Sequence, residues 1–139
     1  DDLTRTRIGQ IFWSDFASDA ETMETIGSAY RDYGYMVDTH TAVGVNVYGK
    51  YTADTGDMTK TVVASTASPF KFNASVARAL LGKDAVTGKD EFSLLEILSA
   101  AGGMEIPAGL KDLDKKTVLH NRTVPKNQIA ETVRNILLS

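Results

Sequence analysis

Two short polar segments carry the residue types that could do chemistry. The first reads Asp38-Thr39-His40-Thr41 and leads directly into an apolar pattern with helical spacing. Free backbone N–H groups and the helix dipole at such a start attract an anion or the polar edge of a cofactor. In the simpler alternative, Thr41 only caps the helix and Asp38 only balances its dipole. Asp38 and His40 offer two metal ligands without a third, so no metal site is predicted.

The second segment reads Ser65-Thr66-Ala67-Ser68 and is followed by Lys71. A hydroxyl at the end of a buried strand can donate a neutral hydrogen bond to the ring nitrogen of a ligand, whereas a carboxylate would hold that nitrogen protonated. Lys71 could meet an anion as a point charge. The simpler alternative is a Ser/Thr turn with a solvated lysine. A Ser-His-Asp triad with Ser65 can be drawn, but nothing fixes its geometry, so it is rejected.

The elements that must position these segments follow from hydrophobic periodicity and capping residues. Five helices are predicted, at 18–34, 41–53, 72–81, 92–101 and from 125 onward. The first has a Ser18–Glu21 capping box and a closing Gly34, and the second is apolar on several faces, which predicts burial. Short apolar or β-branched runs predict strands at 34–38 and 60–65 and an edge strand at 118–120.

The order helix, strand, helix, strand, helix is typical of a parallel α/β sheet, in which ligands lie beyond the carboxyl ends of the strands. Two strands are too few for an independent sheet. We therefore predict an α/β fold in which residues 1–83 are the C-terminal part of a doubly wound, largely parallel sheet with flanking helices. Residues 84–139 are predicted to form a mostly helical C-terminal tail. The start at Asp1, without a Met, also indicates a piece of something longer.

Composition excludes several classes of function. The 139 residues include 15 Lys or Arg and 18 Asp or Glu, so the net charge is −3 and no basic footprint for nucleic acid is present. With no Cys, thiol nucleophiles and Cys-ligated metals are excluded. No apolar run approaches the length of a membrane span, so no membrane partner is expected. The net charge likewise leads us to expect no nucleic-acid partner. A cut domain would expose apolar surface, here Phe12, Trp13 and Phe16, and self-associate through it.

Together the two polar segments resemble the threonine synthase family. Residues 34–44, GYMVDTHTAVG, resemble the family pattern GYxxDPHTAVG, and residues 63–72, VASTASPFKF, resemble its STAHPAKF. The resemblance is strong over residues 12–82 and softer beyond. It implies a pyridoxal-phosphate enzyme of the tryptophan-synthase-β fold, which converts O-phosphohomoserine and water to threonine and phosphate in the cytoplasm.

The resemblance also implies which side chains serve the site. Thr66 matches the family threonine that hydrogen-bonds the pyridine nitrogen, and Ser65 is assigned with it to the cofactor. Asp38, His40 and Thr41 match a motif at the active-site wall or substrate. Lys71 matches a family lysine near the cofactor end of the sheet, not the Schiff-base lysine.

The family's Schiff-base lysine and Gly/Asn-rich phosphate loop are implied to lie in an N-terminal part of the enzyme that this sequence does not contain. The chain is therefore expected to have no catalytic residue of its own, to bind no pyridoxal phosphate alone and to need that N-terminal part as its partner. Thr39, Ser68 and Phe70 replace the usual Pro, His and Ala. The competing hypothesis is a free-standing, non-catalytic α/β module that binds a small anion or a partner.

Overall fold

The computed structural model describes residues 1–138, and within this range every regular element is a helix. The α-helices are α1 (Asp2–Gly9), α2 (Asp19–Tyr33), α3 (Thr39–Thr55), α4 (Asn73–Leu81), α5 (Glu91–Gly102) and α6 (Ile129–Leu138). Short 3₁₀ turns occupy Pro69–Phe72, Leu113–Lys115 and Lys126–Gln128. Among the residues described, none of these helices is long and apolar enough to cross a membrane.

Helices α2 to α5 share one apolar core. Its fully buried members include Ile26 of α2, Ala42 of α3, Val76 of α4 and Leu98 of α5, together with Phe70 of the first 3₁₀ turn. Because α5 contributes to the same core as α2 and α4, the helices that follow both polar segments are held in one packed body.

The local signals that start and stop α2 act as predicted. Ser18 accepts a hydrogen bond from the Glu21 amide at 3.3 Å, and the Glu21 carboxylate accepts one from the Ser18 amide at 2.7 Å, which is a complete capping box. Gly34 ends the helix with φ +65°, a left-handed conformation that favours glycine. The predicted helix at 18–34 is confirmed.

The predicted α/β fold is wrong, because residues 1–138 contain no strand and no sheet. In the run at 34–38, Met36 and Val37 are buried as a strand would bury them, but against helices. A Cβ on Gly102 would lie 2.7 Å from the Met36 Cε atom, so the bare end of α5 gives the Met36 side chain its space. An apolar run signals burial, and it does not reveal whether the covering element is a sheet.

The predicted strand at 60–65 is instead an irregular segment that returns along α3. Within residues 1–138, no backbone–backbone hydrogen bond involves residues 57–67. The segment touches α3 at successively earlier positions, with Asp57 at Tyr51, Val63 at Gly44 and Ser65 at Thr41. We call residues 57–65 the return segment. Val62 in it is 94% exposed, so β-branched residues here do not mark a buried strand.

Three further expectations are corrected or confirmed. The edge strand at 118–120 is wrong, since these residues are irregular and exposed. Helix α3 buries only Thr41 and Ala42, so its predicted burial holds for its first turn alone. The helix expected after Pro125 is confirmed as α6, although α6 buries no residue. Helix α1, which likewise buries none, is not predicted by the sequence pattern.

Candidate functional site

The site is built around the start of α3, where Asp38 and not Thr41 is the N-cap. One Asp38 carboxylate oxygen accepts hydrogen bonds from the backbone amides of His40 at 2.8 Å and Thr41 at 3.4 Å. The other carboxylate oxygen accepts the Thr41 hydroxyl. Asp38 is fully buried and Thr41 is nearly so. The simpler alternative, in which these residues only start the helix, is therefore partly correct. Asp38 provides the cap that the alternative assigns to Thr41.

The electrostatics of this cap favour an ionised carboxylate. Burial by itself raises the pKa of Asp38, but hydrogen bonds from the Thr41 hydroxyl, from the two backbone amides and from the His40 ring together lower it. The pKa of Asp38 therefore lies below its ordinary value of 3.8. At neutral pH the carboxylate is negatively charged and can only accept hydrogen bonds.

Thr41 connects this buried cap to the second polar segment. Its hydroxyl oxygen lies 3.0 Å from the hydroxyl oxygen of Ser65, within hydrogen-bonding distance. Ser65 and its neighbour Thr66 are both exposed. The Thr66 side chain makes no hydrogen bond inside the described chain, which leaves its hydroxyl available to a group from outside.

The remaining residues of the second segment form the 3₁₀ turn before α4. The Ser68 hydroxyl accepts a hydrogen bond from the Phe70 amide at 3.3 Å, and the Ser68 carbonyl accepts one from the Lys71 amide at 3.0 Å. Pro69 and Phe70, the first two residues of this turn, are buried. Ser68 therefore caps the turn, which is a structural role that its place in the motif does not reveal.

Phe72 brings two of the predicted site residues to one place. The His40 ring centroid lies 4.9 Å from that of Phe72, and the Lys71 ammonium lies 5.6 Å from the same ring. The His40 Nδ1 atom is also 3.3 Å from the Asp38 carboxylate, while most of the ring is exposed. Sequence periodicity assigns Phe72 to a helix core, and only its position between His40 and Lys71 in space marks it as part of this site.

The structure thus places the six predicted residues in three relations. Asp38, His40, Thr41 and Ser65 are linked by direct hydrogen bonds, Lys71 joins through the Phe72 ring, and Thr66 stands next to Ser65 with its hydroxyl unused within residues 1–138. Asp38 binds both His40 and Thr41, and no hydrogen bond joins His40 to Ser65 among the described residues, so the arrangement is not a triad.

The chemistry available here is hydrogen bonding and charge. The hydroxyls of Ser65 and Thr66, the His40 imidazole and the Lys71 ammonium belong to exposed residues, and such a set suits a polar ligand that also carries an anionic group. In the part of the chain that the structure describes, no three Cys, His, Asp or Glu side chains are grouped as a metal site.

Known proteins share this part of the sequence. Residues 41–136 match the family model described as threonine synthase, C-terminal, and this range includes Thr41, Ser65, Thr66 and Lys71. A threonine synthase of Pseudomonas aeruginosa is 34% identical over 83 residues, which make up 60% of this chain. The matched part covers 17% of that enzyme's length. Because the family model matches more than half of the residues, the chain belongs to the threonine synthase family, in the region that forms its C-terminal part.

Proposed function

We propose that this chain is the part of a threonine synthase that contacts the ring-nitrogen edge of pyridoxal phosphate. The complete enzyme would convert O-phosphohomoserine and water to threonine and phosphate. The observation that carries the proposal is Thr66, an exposed threonine beside the anchored Ser65, with no hydrogen bond of its own within residues 1–138. It lies in the range that matches the family model.

The residues present fit one edge of the cofactor. When bound, pyridoxal phosphate supplies an electron-withdrawing ring that stabilises negative charge on the substrate carbon skeleton. Thr66 would donate a neutral hydrogen bond to the ring nitrogen, so that this nitrogen stays unprotonated. A carboxylate at the same position would instead raise the pKa of the nitrogen and keep a proton on it.

Lys71 and His40 would act toward the substrate. The exposed Lys71 ammonium is a mobile point charge that can approach a phosphate group, and it has no carboxylate partner among residues 1–138. The His40 ring packs against Phe72 at an interplanar angle of 55° and keeps one nitrogen near the Asp38 carboxylate. The ring is thereby held in one orientation, with its exposed edge available to a polar substrate group.

We propose further that this chain has no synthase activity alone. The family's Schiff-base lysine belongs to a part of the enzyme with no counterpart in this sequence. Incubation with pyridoxal phosphate followed by borohydride reduction should leave no lysine stoichiometrically labelled in a peptide map. One lysine fully and specifically labelled, or threonine formed from O-phosphohomoserine by this chain, would contradict this part of the proposal.

The role of Thr66 is tested in the full protein encoded by the reading frame that contains this chain, starting from its start codon. The wild type should restore growth of a threonine auxotroph. Thr66→Ala should lower kcat/KM for O-phosphohomoserine by about tenfold or more, because one hydrogen bond to the cofactor is lost. Thr66→Ser retains the hydroxyl and should recover most of the activity. Thr61→Ala removes a hydroxyl from the same segment and is the matched control.

If the wild-type protein has no such activity and binds no pyridoxal phosphate, the proposed function is wrong and a non-catalytic binding role takes its place. If activity is present but Thr66→Ala equals the wild type, only the assignment of Thr66 fails.

A further inference from the structure

Helices α3 and α5 begin with the same kind of cap, and only the α3 cap is hydrogen-bonded to a second segment of the chain. In α5, Asp90 accepts the amides of Phe92 and Ser93, both at 3.0 Å, and the Ser93 hydroxyl at 2.6 Å. In α3, Asp38 accepts two amides and the Thr41 hydroxyl in the same pattern. A helix start in this chain therefore needs no more than an exposed Asp with a hydroxyl residue three positions later.

The α3 cap differs from the α5 cap in three respects, of which the first is the His40 ring, whose Nδ1 atom lies 3.3 Å from the Asp38 carboxylate. The Asp38 side chain is fully buried, whereas Asp90 is exposed. The Thr41 hydroxyl continues to Ser65, which is 24 residues away in sequence, whereas no continuation from Ser93 is present among residues 1–138. Burying a carboxylate is unfavourable, so a buried cap that contacts a second segment does more than start a helix.

The direction of each hydrogen bond in this chain of groups follows from proton counting. The ionised Asp38 carboxylate has no proton to give, so the Thr41 hydroxyl must donate its only proton to Asp38. The Thr41 oxygen is then an acceptor toward Ser65, and the Ser65 hydroxyl must donate to it. The proton of Ser65 is therefore directed into the protein, and the lone pairs of its exposed oxygen are left toward solvent.

We infer that Asp38 is a positioning residue, which acts through Thr41 to fix Ser65 as a hydrogen-bond acceptor for an N–H or O–H group of the bound ligand. Ser65 and Thr66 then have opposite roles although they are neighbours. Thr66 can donate to an unprotonated ring nitrogen, whereas Ser65 accepts from an ammonium or hydroxyl group. The identity of that ligand rests on the proposed function, but the direction of the hydrogen bonds does not.

Asp38→Asn is the sharpest test, because Asn also caps helices and so preserves the start of α3. Its amide oxygen can still accept the backbone amides, but its NH₂ group would donate to the Thr41 oxygen where Asp38 accepts. Thr41 would then donate to Ser65, and the direction of the chain of hydrogen bonds is reversed. Asp90→Asn makes the same change at a cap whose hydroxyl residue, Ser93, has no onward hydrogen bond among residues 1–138, and it is the matched control.

The first readout is NMR of this chain and needs no ligand. The buried Thr41 hydroxyl proton should resonate downfield in the wild type, since it is donated to a charged acceptor, and should move upfield in Asp38→Asn but not in Asp90→Asn. The two Hα–Hβ couplings of Ser65 should be unequal in the wild type and in Thr41→Ser, and should average in Thr41→Val. Averaged Ser65 couplings in the wild type, or unchanged couplings in Thr41→Val, would overturn the inference.

The second readout is steady-state kinetics of the full protein with O-phosphohomoserine. We expect Asp38→Asn to lower kcat/KM by about tenfold, with Asp90→Asn within about twofold of the wild type. Unchanged kcat/KM in Asp38→Asn, alongside the shifted Thr41 proton, would refute the acceptor role of Ser65. A wild type without synthase activity would refute the proposed function, and the NMR readout would still decide the direction of the hydrogen bonds.

Discussion

Replacement of Asp38 by Ala should destabilise the chain far more than loss of a helix cap alone. Loss of an Asp cap lowers the free energy of unfolding by roughly 1 kcal/mol in proteins. Asp38 also holds the buried Thr41 hydroxyl, and a hydrogen bond to a charged group contributes about 1.5–3 kcal/mol more. We therefore expect Asp38→Ala to lower the free energy of unfolding by about 2.5–4 kcal/mol.

Urea denaturation followed by circular dichroism measures this loss. With a slope of about 2 kcal/mol per molar, the midpoint should fall by about 1–2 M. Asp90→Ala is the matched control, since it removes the same three hydrogen bonds at an exposed position, and its midpoint should fall clearly less. Equal losses in the two variants would refute the reasoning that burial and the link to Ser65 set Asp38 apart.

The stability difference between the wild type and Asp38→Ala should depend on pH. The pKa of Asp38 is lowered in the folded state, so its stabilisation is fully present above the ordinary value of 3.8 and is lost as the pH falls through the folded value. The contribution of the Asp38 carboxylate to the stability difference between wild type and Asp38→Ala should accordingly shrink on acidification below about pH 4. A difference that grows on acidification would contradict an ionised Asp38.

Three further changes test other parts of the structure. Gly49→Ala, on an exposed and open face of α3, should stabilise the chain by about 0.5–1 kcal/mol, whereas Gly34→Ala, at φ +65°, should destabilise it by about 1–2 kcal/mol in the same urea assay. Lys50→Met removes the hydrogen bond that chiefly holds the pKa of Glu21 at about 2, so the Glu21 titration followed by NMR should move toward 4.5. The stability that the ionised Glu21 confers should then be lost at a higher pH on acidification than in the wild type. Leu98→Ala, at a fully buried site, should lower the thermal midpoint by an amount equivalent to about 2–5 kcal/mol, and a near-neutral result would mean that the core is not packed at α5.

Sequence alone was sufficient where a few neighbouring residues decide the structure. The start and end of α2 depend on Ser18, Glu21 and Gly34, which lie in the helix or directly beside it, and the sequence predicts both ends correctly. The runs at 34–38 and 60–65 have strand-like composition, but a strand also requires a partner backbone, and composition carries no information about one. The prediction of a sheet is wrong for this reason, although Met36 and Val37 are indeed buried.

The candidate site shows the same division between local and long-range information. Asp38, His40 and Thr41 are within four residues and share one helix start, so their grouping could be read from spacing. A rule for parallel sheets predicts that Ser65 lies near them, but Ser65 meets Thr41 for another reason, because the return segment follows α3 backward. The place of Phe72 between His40 and Lys71 depends on how α3 and the 3₁₀ turn pack, which no local pattern encodes.

The return segment also sets how firmly Ser65 can be held. Side chains alone attach it to α3, with Tyr51 donating to Asp57 at 2.7 Å at one end and Thr41 meeting Ser65 at the other. The entropy lost in fixing Ser65 therefore depends on the length of chain between two anchors, and it grows by only about 0.6 kcal/mol for each doubling of that length. An insertion near Val62 should leave the helices unchanged and weaken the Thr41–Ser65 hydrogen bond a little more with each added residue. The length of the return segment therefore sets how often this hydrogen bond is formed.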